Sequence, residues 1–315
     1  MEHVIDPTLV HHEWNSALEP ALRVASGDVV HYELRMAAHD QVSEGGGVVE
    51  FDFSTLYHLS GPVWVDGASP GDTLRIDVLS LEPGDWGWAA VLPGQGLLGE
   101  DFTEPWVGSF DLRTPGSVLV APWISIPTAP FLGTMGTHPG EPAVASVFPP
   151  HRGAGNIDTR HLVAGSTLWL PVFCDGALFS CGDPHAAQGD GEVCVTAIEC
   201  AMRATLAFTL ERRTIPTPCF RTPGPLASAD ETPGHFGTMG IAPDLMEGAR
   251  IAVRAAIDWL VAEHGLTRRE GYVLCSLAGD LKILEIVDAG MWNVGFTLPL
   301  SIFPSVAAQQ EGGEA

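Results

Sequence analysis

Between Gly176 and Glu199 the chain reads GALFSCGDPHAAQGDGEVCVTAIE, and ten residues of it carry Asp183, His185, Gln188, Asp190 and Glu192. Three carboxylates, a carboxamide and an imidazole on one glycine-bounded loop between two strand-like apolar runs are costly to strip of water unless something binds there. Asp-x-His is also a spacing that lets two side chains reach one divalent cation from an extended loop. The competing reading is a solvated acidic turn in an acidic protein. His185 and Gln188 add ligand chemistry that such a turn does not need.

Other polar groups cluster in four places. His39-Asp40 follows an apolar run and precedes a glycine-rich turn, where a carboxylate can project into a cleft or merely cap the turn. His58 interrupts the apolar TLYHLSGP, a setting more typical of a satisfied core histidine than of a ligand. GAGNIDTRHL presents Asn156 and Asp158, with Arg152 and Arg160 near enough in sequence to pair with acids. Glu100-Asp101 follows PGQGLLG, a loop that lies over a site or faces water.

Several chemistries are excluded. No Gly-x-Ser-x-Gly elbow, phosphate loop or Gly-x-Gly-x-x-Gly turn occurs. Lys282 is the only lysine and lies in a strand-like run, which removes Ser–Lys and Cys–Lys–Glu schemes. The six cysteines sit mostly in apolar runs without a Cys-x-x-Cys pair, so they read as reduced, buried hydrophobes of a cytoplasmic protein. A formal charge of −24 repels phosphate backbones and acidic membranes but attracts cations. No secretory signal or long apolar span is visible. What remains is chemistry done by a metal-bound water, with carboxylates handling protons.

The elements that must position these groups read as a β-dominated α+β fold. Glycine and proline, 36 and 25 residues, punctuate strand-like segments at Val29–Met36, Gly47–Phe53, Asp72–Leu81, Ser117–Trp123, Ser166–Phe173 and Glu192–Ile198. The alternation of Leu74, Ile76 and Val78 with Arg75 and Asp77 predicts one wet face. GTMG at Gly133–Gly136 and again at Gly237–Gly240 suggests tight turns. Asp244 and Glu247 resemble a capping box for a helix that stops at Gly265, and Thr267 with Glu270 starts a second, shorter helix towards Ala278. This late helical pair should pack on a sheet. The chain divides into a 1–28 extension, a β-rich 29–242 part carrying the site, a 243–303 part and a frayed 304–315 tail.

GPVWVDGASPGDTLRIDVLSLEP, PFLGTMG, and above all the long GDPHAAQGDGE preceded by LPV and GALFS resemble the acetamidase/formamidase family of amide hydrolases, from about Val29 to Phe303. The resemblance implies sandwich-like and barrel-like β parts, a homo-oligomer, and hydrolysis of small linear amides to carboxylate and ammonia. It also implies a divalent metal, zinc first, with calcium as alternative or second ion. On the matching positions, Asp40, His58, Asp183 and His185 would hold the cation, with Asp158 a further ligand or a partner of an imidazole. Glu192 would move the proton, Asn156 and Gln188 would orient the amide, and Asp190 would be a turn residue. Where the family has small residues this chain has Pro184 and Thr137-His138-Pro139-Gly140-Glu141. Glu141 is thereby a candidate proton-transfer group, and a larger or functionalised amide a candidate substrate. Trp86, Trp88 and Trp106 either close the pocket or pack the core. The rival class is a non-catalytic β-sandwich that binds a metal or small ligand.

Overall fold

Alternation of apolar and polar residues sets the architecture. In the computed structural model the run beginning at Thr73 opens a strand of 19 residues, Thr73–Val91. Leu74, Ile76 and Val78 are buried on one face. Arg75 and Asp77, half-buried on the other, pair with each other at 2.9 Å. The antiparallel partner Glu199–Glu211 buries Met202, Ala204, Leu206 and Phe208 in the same rhythm. The structure describes residues 1–45, 51–96, 103–121, 124–189, 191–192, 194–224, 234–266, 268, 280–300 and 303.

From this pair the sheet runs one way through Phe179–His185, Phe131–Gly136 and Ala154–Asn156. It runs the other way through Thr167–Pro171, Cys219–Arg221, His235–Ala242, Trp292–Pro299 and Asp280–Glu285. It also forks. Val29–Leu34 pairs with Glu199–Glu211, and Leu59–Val65 pairs with Phe179–His185. The branches enclose a sandwich-like core of residues such as Val30, Val63, Leu132, Phe179 and Phe208. Residues 2–24, read above as an extension, supply four short strands that pair with Val29–Leu34, Leu59–Val65 and Val144–Ser146.

The helix Leu245–His264 begins where the sequence places it. Asp244 accepts a hydrogen bond from the Glu247 N–H at 2.8 Å, and Gly265, left-handed at φ 68°, closes the other end. The Glu247 carboxylate does not reach back to complete a capping box; it faces Arg250 and Arg254 instead. Ala252, Ala256, Ile257 and Leu260 bury against Phe296 and Leu298. The expected second helix falls at 267–278, almost wholly outside the described residues, as does most of the Gly47–Phe53 run. No helix among the described residues is long and apolar enough to cross a membrane.

Two expectations change. The GTMG copies are not turns: they lie inside the strands Phe131–Gly136 and His235–Ala242. Their glycines permit close approach, since a Cβ on Gly240 would stand 1.8 Å from the Gly248 carbonyl oxygen of the helix. The run Glu192–Ile198 is not a strand. Glu192 and Val195 have φ of 44° and 73°, and the Val195 N–H closes a turn onto the Glu192 carbonyl, so the strand starts only at Glu199.

Gly240→Ala should therefore lower stability by about 3 kcal/mol in urea unfolding, because helix and sheet must separate to admit the methyl group. A second expectation concerns acid. The buried His11 ring donates from Nδ1 to the Glu13 carbonyl and accepts at Nε2 from the Ser180 hydroxyl, both at 2.8 Å. Burial holds its pKa down to about 4. Its unfolded value is near 6.5, so the stability it contributes is present above that pH and is lost as pH falls towards 4. His11→Gln should make the loss between pH 7.5 and 4.5 smaller by about 2 kcal/mol. An unchanged loss would remove His11 from the cause.

Candidate metal centre

Every residue of the strand Phe179–His185 is buried, so Asp183 and His185 stand at a strand end rather than on the expected loop. Two-residue spacing places them on one face. Asp183 has a φ of 53°, and the pairing with Phe131–Gly136 passes from Leu132–Pro184 to Thr134–Gly182. Gly133 lies under this break. A Cβ there would come within 2.5 Å of Asp158 Oδ1 and 2.8 Å of both Asp183 Oδ2 and His185 Cε1. The first GTMG glycine is thus the floor of the site.

His185 Nε2 lies 3.1 Å from Glu199 Oε2 and 3.5 Å from Asp183 Oδ1. These three atoms and Asp158 Oδ1 are buried with no hydrogen-bond partner. The other ring nitrogen is occupied: Nδ1 is 2.9 Å from Gln188 Oε1, and Gln188 Nε2 donates to the Asp158 carbonyl at 3.0 Å. That second bond fixes the carboxamide with its oxygen towards the ring, so Nδ1 carries a proton and Nε2 aims at the two acids. Burial opposes charge on His185, yet Glu199 and Asp183 outweigh it and hold the pKa well above the usual imidazole value. The acids favour positive charge at Nε2, and a divalent cation could supply it there. One imidazole and two carboxylates with bare donor atoms are a set that suits zinc, manganese or iron.

Asp158 Oδ1 lies 3.8 Å from His185 Nδ1, and Glu192 joins this pair. Its turn is pinned by a parallel bridge between Gly191 and Glu285, and its carboxylate, Asp158 and His185 bring donor atoms within 4.8 Å of one another. Burial, then the neighbouring acid, pushes the Glu192 carboxyl well above the carboxylate range; burial does the same for Asp158 and raises Glu199. Asp158, Asp183 and Glu192 have φ of 42°, 53° and 44°. Glycine suits such conformations best. Three acids held there mark a backbone bent to aim side chains, as at functional sites.

Behind this layer Asn156 is fully engaged. It accepts from the Thr134 hydroxyl and donates to the Phe148 carbonyl and to Asp288 Oδ2. Asp288 is buried, and its own N–H donates to Glu285 Oε1 at 2.8 Å. Burial raises both acids, Glu285 to about 7. Two cavities approach the cluster. One of about 330 Å³ has Glu199 and Asp288 in its wall; another of about 450 Å³ has Gln188, Glu192 and Arg160.

Of the residues singled out from sequence, Asp158, Asp183, His185, Gln188 and Glu192 converge here. Gln188 and Asn156 have their amide groups tied to protein partners. Asp40 stands apart on a turn with its side chain 81% exposed, 3.7 Å from His39. His58 is buried beside His12, with ring centroids 5.1 Å apart, and burial lowers its pKa to about 4. Glu141 is exposed. His138 closes its own turn through Gly140 N–H and the Ala143 carbonyl. Asp190, Glu100 and Asp101 lie outside the described residues. Trp88 is buried in the wall of the smaller cavity, whereas Trp106 is exposed. Glu199, Asp288 and Glu285 escaped the reading of the sequence. Glu199 and Glu285 left a signal, as acids inside the apolar runs from Val195 to Met202 and from Ile283 to Val287.

Residues 2–147 and 141–305 match the family model described as Acetamidase/Formamidase family. Acetamidase of Mycolicibacterium smegmatis is 26% identical over 249 residues, 58% of this chain and 61% of that protein. Formamidase of Methylophilus methylotrophus is 26% identical over 241 residues, 58% of this chain and 59% of that protein. The chain thus spans about three-fifths of the length of these curated relatives. The crystal structure of a predicted acetamidase/formamidase from Thermoanaerobacter tengcongensis superposes with a TM-score of 0.87 at 27% identity, covering 96% of this chain and 97% of that one. An acetamidase structure from Bacillus halodurans gives 0.87 at 30% identity, covering 95% and 98%. With its site built on the GDPHAAQGDGE segment and the family match spanning nearly its whole length, the chain belongs to the acetamidase/formamidase family.

Proposed function

We propose that the protein is a metal-dependent hydrolase of amide C–N bonds that yields a carboxylate and ammonia. The observation that carries this reading is the convergence of His185 Nε2, Asp183 Oδ1 and Glu199 Oε2, all buried and all without a hydrogen-bond partner. These three residues would hold a divalent cation, zinc being our first expectation. When bound, the cation polarises the amide carbonyl and offsets the negative charge that builds on its oxygen. Names of relatives support the amide as substrate: they are an acetamidase and a formamidase.

The rest falls to the chain's own groups. Gln188 keeps the proton of His185 on Nδ1 and leaves Nε2 free for the cation. Asp158 and Glu192 are too close and too dry to ionise together, so they share one proton. The ionised member takes a proton from the attacking water as its oxygen joins the carbonyl carbon. The protonated member delivers one to the nitrogen as the C–N bond breaks. Asp288, fixed by Asn156, lies in the wall of the smaller cavity.

Chelator-treated protein should release no ammonia from formamide, acetamide or longer amides, and zinc or manganese should restore it. No ammonia from any amide after reloading would refute the reading. His185→Ala should lose bound metal and at least about 10³-fold in kcat/KM. Glu192→Gln should keep the metal, measured by elemental analysis, while kcat falls about 10² to 10⁴-fold. Loss of metal in that variant would make Glu192 a ligand instead. Gln188→Ala should weaken metal affinity about 10 to 100-fold with the three ligands intact.

A further inference from the structure

We infer that the amide carries a neutral aromatic or similarly bulky apolar group, which occupies the smaller cavity beside Glu199; this rests on the amide-hydrolase reading above. The cavity measures about 330 Å³, and its wall includes Phe51, Phe53, Tyr57, Trp88 and Phe148. Acetamide has four heavy atoms and fills on the order of 100 Å³, taking the liquid-water share of about 30 Å³ per heavy atom. A pocket for formamide or acetamide alone would leave most of this space wet and apolar-walled. A phenyl ring with a one-carbon link to the amide fills it.

The walls are set for a ring. Phe51 stacks on Trp88 with centroids 5.5 Å apart and planes at 25°, and Tyr57 meets Phe148 edge-on at 5.2 Å. The Trp88 indole is anchored by its Nε1–H to the Ala37 carbonyl. Flat, fixed faces favour offset and edge-on contacts with a further aromatic group. The charged lining is confined to Asp288 and to Glu199, one of the three residues that would hold the cation, and no basic side chain is among the described lining residues. Acidic substituents are therefore disfavoured. The wall is also drawn from widely separated parts of the chain, from Ala37 to Ala289, so its shape depends on the complete fold.

The test compares kcat/KM of the cation-loaded full chain for acetamide, hexanamide, 2-phenylacetamide and 4-aminobutanamide, read as ammonia release. 2-Phenylacetamide should exceed acetamide by about 100-fold or more, since one methylene in an apolar pocket already discriminates about 10-fold or better. Leu92→Trp, which narrows the cavity from its half-buried wall, should cut the phenylacetamide-to-acetamide ratio about 10-fold. Acetamide hydrolysed as well as 2-phenylacetamide would overturn the inference and leave the hydrolase reading standing. A preference for the cationic 4-aminobutanamide would overturn it too. Should no amide release ammonia, the hydrolase reading fails, and calorimetry with 2-phenylacetamide decides the pocket. Saturable binding weakened about 10-fold by Phe148→Ala would support the ligand class; no binding would overturn it.

Discussion

The structure turns on a concentration of acidic groups in its interior. Asp158, Asp183, Glu192 and Glu199 crowd one imidazole in a dry interior, with Asp288 and Glu285 close behind. Burial alone opposes ionising any of them. The chain nevertheless holds three of the acids in backbone conformations that side chains other than glycine rarely adopt. The strain is steric, whereas the desolvation of the acids is electrostatic and would be offset by positive charge at His185 Nε2. The rest of the fold can be read as the frame that keeps these groups from moving apart.

That frame works through pairing rather than loops. The strand Phe179–His185, which carries Asp183 and His185, is bonded to Phe131–Gly136 on one side and to both Leu59–Val65 and Glu199–Glu211 on the other. His185 pairs with Glu199 directly in register, so two of the donor groups are neighbours by hydrogen-bond ladder. Glu192 has no strand of its own. It is held by the Gly191 bridge to the last part of the sheet, which also carries Asp288 through the Glu285 turn. Residues a hundred positions apart in sequence therefore set one another's carboxylates.

Much of this was legible before the fold was. Asp183, His185, Gln188 and Glu192 betrayed themselves because clustered polar groups between apolar runs have no bland explanation once an imidazole is among them. The helix at Leu245–His264 announced itself through Asp244 and Gly265, which act locally. The reading failed where tertiary contact decides. GTMG looks like a turn in sequence, yet both copies are strands whose glycines admit a neighbour's side chains or backbone. Glu192–Ile198 has the composition of a strand, but the turn that aims Glu192 overrides it. Asp40 sits on a motif position and still points to solvent, because a motif fixes a chain segment and not the direction of its side chain. Asp288 gave no signal, since its partner Asn156 is far away in sequence.

Gly133 lets the cluster rest directly on a backbone that cannot give way. With the strand Phe179–His185 buried along its whole length and bonded on both flanks, the backbone positions that carry Asp183 and His185 are set by the sheet. An ion larger or smaller than the gap would have to deform a ladder of hydrogen bonds to be seated. Selection among cations at such a centre would be a matter of radius as much as of ligand chemistry. The same rigidity would limit the conformational entropy lost on binding an ion.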